Sequence, residues 1–236
     1  MLKRYNAAKT RIEKEEKIIA EKRETKYFTN LDASKALSEM NNRCGNTFEI
    51  PKGYTHISSD LLCGWKGTDE IRKIVMPNTV RVIERCAFSY ITEFEEIVFS
   101  EKLEYIDAMI FNIPDSRSGI QRLFGKKQKE RKFKKLIIPG RAELNRFALL
   151  GINEIEELVF AKGHEKFDSR WISFSVRSLY LPNSVHTFIN SISDKKEEQR
   201  GKRLIIEKLS VPAHLREIIE NEKRPDIIFN KIEYRG

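Results

Sequence analysis

A chain of 236 residues that is 40% apolar can build a continuous core, while three cysteines (Cys44, Cys63, Cys86), an odd number with no CxxC pair, exclude a disulfide framework and a zinc site. The N-terminus has no signal-like apolar run, and no later stretch approaches the roughly 18 apolar residues of a membrane helix. With Met1 as the start, a reducing, cytoplasmic location is expected. A net charge of +9 leaves an acidic protein or a nucleic acid open as partner.

Residues 1–41 differ from the rest. From Lys3 to Lys26 the sequence is dense in Lys, Arg and Glu and has neither Gly nor Pro, which predicts a helix. Tyr5, Ala8, Ile12 and Ile19 form a broken heptad seam, compatible with a solvated helix or with one that pairs with a partner or a second copy. A second short helix is expected over Ala33–Met40, where Leu37 and Met40 are placed to cover the open end of a repetitive stack.

That stack occupies the remainder of the chain, with its clearest copy at Ile71–Phe88, IRKIVMPNTVRVIERCAF. Anchored at Pro51, Pro77, Ser100, Pro139, Ala161, Pro182 and Pro212, the units are spaced by 26, 23, 39, 22, 21 and 30 residues. One residue before each anchor stand Ile50, Met76, Phe99, Ile138, Phe160, Leu181 and Val211. Three before stand Phe48, Ile74, Ile97, Leu136, Leu158, Leu179 and Leu209. Six before stand Gly45 and then Ile71, Phe94, Phe133, Ile155, Val176 and Ile206. Six after stand Ile57, Ile83, Ile106, Phe167 and Phe188, but Asn145 in the fourth unit, where Leu144 and Phe147 are the substitutes.

This spacing predicts a short strand before each anchor, ended by proline where a lost backbone donor does little harm. A second apolar cluster then returns along the opposite side. No unit buries its own apolar residues, so stability belongs to the stack. Residues 48–215 resemble the BspA-like leucine-rich repeats, whose units read L-x-x-I-x-I-P-x-x-V-x-x-I-G-x-x-A-F, most closely at Ile71–Phe88, Phe94–Phe111 and Val176–Phe188. The ending Leu209–Ile232 resembles the family's closing unit. The resemblance implies a leucine-rich-repeat solenoid, β-rich with one short parallel strand per unit, that serves as a platform for other proteins. Glu84 departs from the family's usual Gly, and the secretion signal of its surface members is missing. On this reading residues 1–41 are the helical segment, 42–215 the repeats with insertions at 114–132 and 193–203, and 216–236 a C-terminal cap.

Two positions before the anchors, the outward residues Val75, Val98, Ile137, Val159 and Tyr180 make an apolar stripe across five strands, a candidate protein-binding strip. Beside it Arg72, Glu95, Lys134, Glu156 and Arg177, with Lys73, Glu96, Lys135 and Glu157, alternate in sign from unit to unit and are expected to fix register. The first insertion carries Arg117, Arg122, Lys126, Lys127, Lys129, Arg131 and Lys132, a candidate electrostatic contact for phosphate or acidic protein without a base-stacking platform. The second insertion, Ser193–Arg203, mixes signs and reads as a loop.

No catalytic constellation is present. His56, His164, His186 and His214 lie in different units, and neither a nucleophile elbow nor a phosphate loop occurs. Cys86 is expected in the core, and Trp65 and Trp171 in packing. No cofactor is implied. The expected function is a non-enzymatic scaffold that binds another protein. The alternatives are a nucleic-acid-associated protein using the basic loop and N-terminal helix, or a component of a larger phage or surface assembly that self-associates through Leu2–Ile19.

Overall fold

Apolar residues at the anchor-relative positions −6, −3 and −1 cannot all point one way on a flat strand, and the chain solves this by bending each unit around a shared interior. The computed structural model describes residues 25–43, 45–91, 95–111, 132–190, 204–222, 225 and 227–236. Within them Ile71, Ile74, Met76, Leu136, Ile138, Ile155, Leu158 and Phe160 are all buried, and so are their counterparts in the later units. Five of the seven anchors open a turn closed by the amide three residues on: Val80 to Pro77, Leu103 to Ser100, Ala142 to Pro139 and Val185 to Pro182 at 3.1 Å, and His164 to Ala161 at 3.5 Å. The turn sends the chain from a front strand to a back strand and buries Val80, Leu103, Ala142, His164 and Val185 behind it.

All strand pairs are parallel, as a stack of like units requires. In the front layer β2 (Thr47–Glu49), β4 (Lys73–Val75) and β6 (Glu96–Val98) form one sheet. There β8 (Lys132–Ile138), β10 (Glu154–Phe160), β12 (Ser175–Tyr180), β14 (Leu204–Pro212) and β15 (Ile227–Arg235) form another. The back layer, unforeseen as a sheet, begins before the first proline with β1 (Tyr27–Phe28). It continues through β3 (His56–Ile57), β5 (Val82–Ile83), β7 (Tyr105–Ile106) and β9 (Glu143–Leu144), and then through the separate pair β11 (Lys166–Asp168) and β13 (Thr187–Ile189). The result is a parallel-strand solenoid of about seven turns.

The helix near the N-terminus, α1, runs over Asn30–Asn42, longer at both ends than expected. Thr29 and Asp32 form a capping box: the Asp32 amide donates to the Thr29 hydroxyl at 3.4 Å, and the Thr29 amide to the Asp32 carboxylate at 3.1 Å. Ala33, Leu37 and Met40 are buried, so α1 covers the N-terminal end of the core. At the other end a five-residue helix, α2 (Arg216–Glu220), leads into the nine-residue β15. The final strand therefore comes after the short helix, and β15 is the last strand of the front layer.

Candidate functional site

The charge ladder forms within each front sheet, while the step from Glu95 and Glu96 to Lys134 and Lys135 is not closed by ion pairs among the described residues. Lys73 meets Glu96 at 2.8 Å and Lys135 meets Glu157 at 2.9 Å across directly paired strands, and Arg177 lies 3.8 Å from both Glu156 and Glu207. These side chains are about half exposed, so each pair contributes modestly, roughly 0.2–1 kcal/mol. Their joint effect is to select register.

The apolar stripe is divided. Val75 stands opposite Val98, and Val159 stands between Ile137 and Tyr180. Between β6 and β8, however, no ladder connects the two front sheets among the described residues, although β7 and β9 of the same two units pair directly behind them. The strands bearing the stripe are thus hydrogen-bonded as two plus three, with β6 and β8 neighbours that do not pair. The longest gap between anchors, 39 residues, falls at this junction and interrupts the front layer alone. A cleft of about 1160 Å³ opens there, with Glu95, Glu96 and Glu101 on the β6 side and Lys134, Lys135 and Lys162 interspersed with Glu154 and Glu156 on the other. Val98 and Ile137 line it, 39% and 48% exposed, whereas Val75, Val159 and Tyr180 are half-buried.

Tyr180 is not a free docking group. Arg235, two strands away, donates from Nη1 to its hydroxyl at 2.7 Å and lies over its ring, 4.1 Å from the centroid. Periodicity did not signal this contact, because Arg235 lies beyond the last anchored unit. In the basic insertion, Arg117, Arg122, Lys126, Lys127, Lys129 and Arg131 lie outside the described residues. Lys132 begins β8, and its ammonium pairs with Glu154 at 3.3 Å. The expected helix over Lys3–Lys26, with the exception of Thr25 and Lys26, and the loop Ser193–Arg203 also lie outside them.

Three packing expectations are revised. Cys86 is half-buried, because its slot is a turn in the left-handed region (φ 58°), shared by Met109 (61°) and Phe147 (62°). Phe147 is half-buried for the same reason. Leu144 alone fills the slot of Ile106 in the fourth unit, while Asn145 donates to the Tyr105 hydroxyl at 3.1 Å and to Asp107 at 2.8 Å. Trp65 is 48% exposed at a turn that comes after Gly64 (φ 79°). Trp171 is buried and stacks on Phe160 with centroids 5.7 Å apart.

The titratable groups are dispersed. His164 occupies the apolar slot of Val80 and Val185, and burial lowers its pKa to about 4 against the opposing pull of the Pro139 and Ile138 backbone. For Asp168, burial raises the pKa, but hydrogen bonds from Arg170 outweigh it and the carboxyl titrates below its usual range. His214 contacts the Val185 carbonyl at 2.7 Å through Nε2. Among the described residues, no group of three or more His, Cys, Asp or Glu is placed to hold a metal. No helix among them is long and apolar enough to cross a membrane.

A stack of parallel-strand turns, periodic in its buried apolar residues and closed at one end by a helix, is the architecture of a leucine-rich-repeat solenoid. The model of the BspA type leucine-rich repeat region matches residues 34–116 in six copies. The same buried positions continue to Val211. Among solved structures, the crystal structure of the pneumococcal vaccine antigen PcpA superposes with a TM-score of 0.54 at 15% identity. The match covers 81% of this chain and 42% of that one, so the likeness is one of fold. No curated protein gives a match.

Proposed function

We propose that the chain is a non-enzymatic scaffold that binds another protein through its front face, centred on Val98 and Ile137. The observation that carries this reading is the coincidence of these two exposed apolar residues with the interruption between β6 and β8. An apolar floor between an acidic wall and one that mixes lysines with Glu154 and Glu156 suits a protein segment bearing apolar side chains flanked by charges of both signs. Val75 and Val159 extend the contact, and Tyr180, held by Arg235, forms its margin. The thiols of Cys63 and Cys86, both free, support a reducing, cytoplasmic setting.

The test is affinity capture from the source lysate with the parent chain and with a Val98→Ser/Ile137→Ser variant, followed by titration of the recovered protein. Loss of at least tenfold in affinity, with an unchanged circular dichroism spectrum, is expected. Equal affinity of the two chains removes the front face from the account.

A further inference from the structure

The two ends of the solenoid are built differently. At the N-terminal end α1 packs Leu37 and Met40 over the core beside β2. At the C-terminal end β15 is the outermost front strand, nine residues long and free of proline, and among the described residues nothing pairs with its outer edge. Phe229, Ile232 and Tyr234 on this strand pack against the core yet remain half-buried. A long edge of unpaired backbone groups beside half-covered apolar side chains is a template for another strand.

The sequence of β15, IIFNKIEYR, is complementary to itself in one register. When two copies run antiparallel about a two-fold axis through Ile232, Lys231 of each stands opposite Glu233 of the other, and Ile232 faces Ile232. Lys231 and Glu233 are both exposed, and Glu233 already bonds Lys208 at 2.7 Å. The second lysine would thus complete a chain of alternating charges across the junction. Shifting the axis by one residue to Lys231 sets lysine against lysine, which is unfavourable. Because α1 covers the opposite end, head-to-tail stacking is blocked, and only the isologous, closed arrangement uses this edge.

We propose that the chain forms a two-fold dimer by antiparallel pairing of β15 with β15 of a second copy, centred on Ile232, so that the front sheets of the two solenoids become one. The surface is separate from the cleft at Val98 and Ile137 and leaves it open.

Sedimentation equilibrium of the full chain at micromolar concentrations tests this. A dimer is expected. Lys231→Glu or Glu233→Lys alone places like charges opposite each other twice, and each should weaken the dimer by roughly tenfold or more. Mixing the two variants restores opposite charges and should give a heterodimer near parental affinity. Independently, Ile232→Cys should form a 232–232 disulfide under mild oxidation, mapped by mass spectrometry against the parent chain as control. That cross-link decides the matter if a charge variant fails to fold. A chain that stays monomeric overturns the proposal, as does a dimer indifferent to both reversals or an Ile232→Cys chain that does not cross-link.

Discussion

The carboxamide of Asn190 satisfies both backbone groups of Ile227: Nδ2 donates to the Ile227 carbonyl and Oδ1 accepts from its amide, each at 2.8 Å. Both residues are buried. A side chain thus ties the end of β13 to the start of β15, where among the described residues no further back strand pairs with β13. Asn190→Ala strands a buried donor and a buried acceptor, each at about 1–3 kcal/mol. The variant should lose about 2–4 kcal/mol in urea unfolding, with hydrogen exchange rising first along β15. Uniform exchange across the chain would show that Asn190 does not anchor this strand.

The Lys135–Glu157 pair makes a weaker and more selective claim. Both side chains are half exposed, so Glu157→Lys should destabilise by under about 1 kcal/mol at low salt. Screening should erase most of that difference near 1 M salt, where the Debye length falls to about 3 Å. A salt-independent loss would point to packing rather than charge.

Much of the architecture is legible in the amino-acid order because each buried slot recurs: Ile74, Leu136 and Leu158 announce one another. The ladder is legible for the same reason where strands pair, as at Lys73–Glu96 and Lys135–Glu157. What is hidden depends on partners outside the period. Arg235 on Tyr180 and Asn190 on Ile227 join residues 55 and 37 positions apart with no recurring spacing to reveal them. The split between β6 and β8 is hidden too, since matching residues in neighbouring units imply pairing but do not measure it. Cys86 shows a further limit, because residue size suggests a core slot whereas its left-handed turn depends on backbone geometry. The departure at Glu84 proves harmless: this position needs no left-handed backbone, and its carboxylate accepts from the Ser59 amide at 3.1 Å.

Gly140 shows how closely adjacent turns approach. A Cβ built on it would lie 1.8 Å from the Lys162 carbonyl oxygen, and one on Gly163 would lie 2.8 Å from the Gly140 oxygen. The obstacle is backbone, which cannot rotate away as a side chain can. Gly140→Ala should therefore cost about 1–3 kcal/mol or more, despite removing no contact. Thermal unfolding checks this, and a melting temperature equal to the parent's would mean that the neighbouring turn yields freely.

His164 supplies the pH dependence. Its ring is buried edge-on against Phe160, centroids 5.0 Å apart, and Nε2 lacks a hydrogen-bond partner. Burial favours the neutral form, so the folded pKa is about 4 against 6.5 ordinarily. Below pH 6.5 the unfolded chain takes up a proton that the folded chain refuses until about pH 4, so stability falls as pH drops through that window and levels off beneath it. The full swing is about 3 kcal/mol. Because Val80 and Val185 occupy the equivalent slot, His164→Val should fold normally and behave almost like the parent at neutral pH. Measuring both chains isolates His164 from the carboxylates that titrate nearby, among them Asp168. Urea midpoints at neutral pH and near pH 4.5 should show the parent losing about 2–3 kcal/mol more than His164→Val. Parallel pH profiles would mean that the imidazole reaches water, or is already protonated, in the folded state.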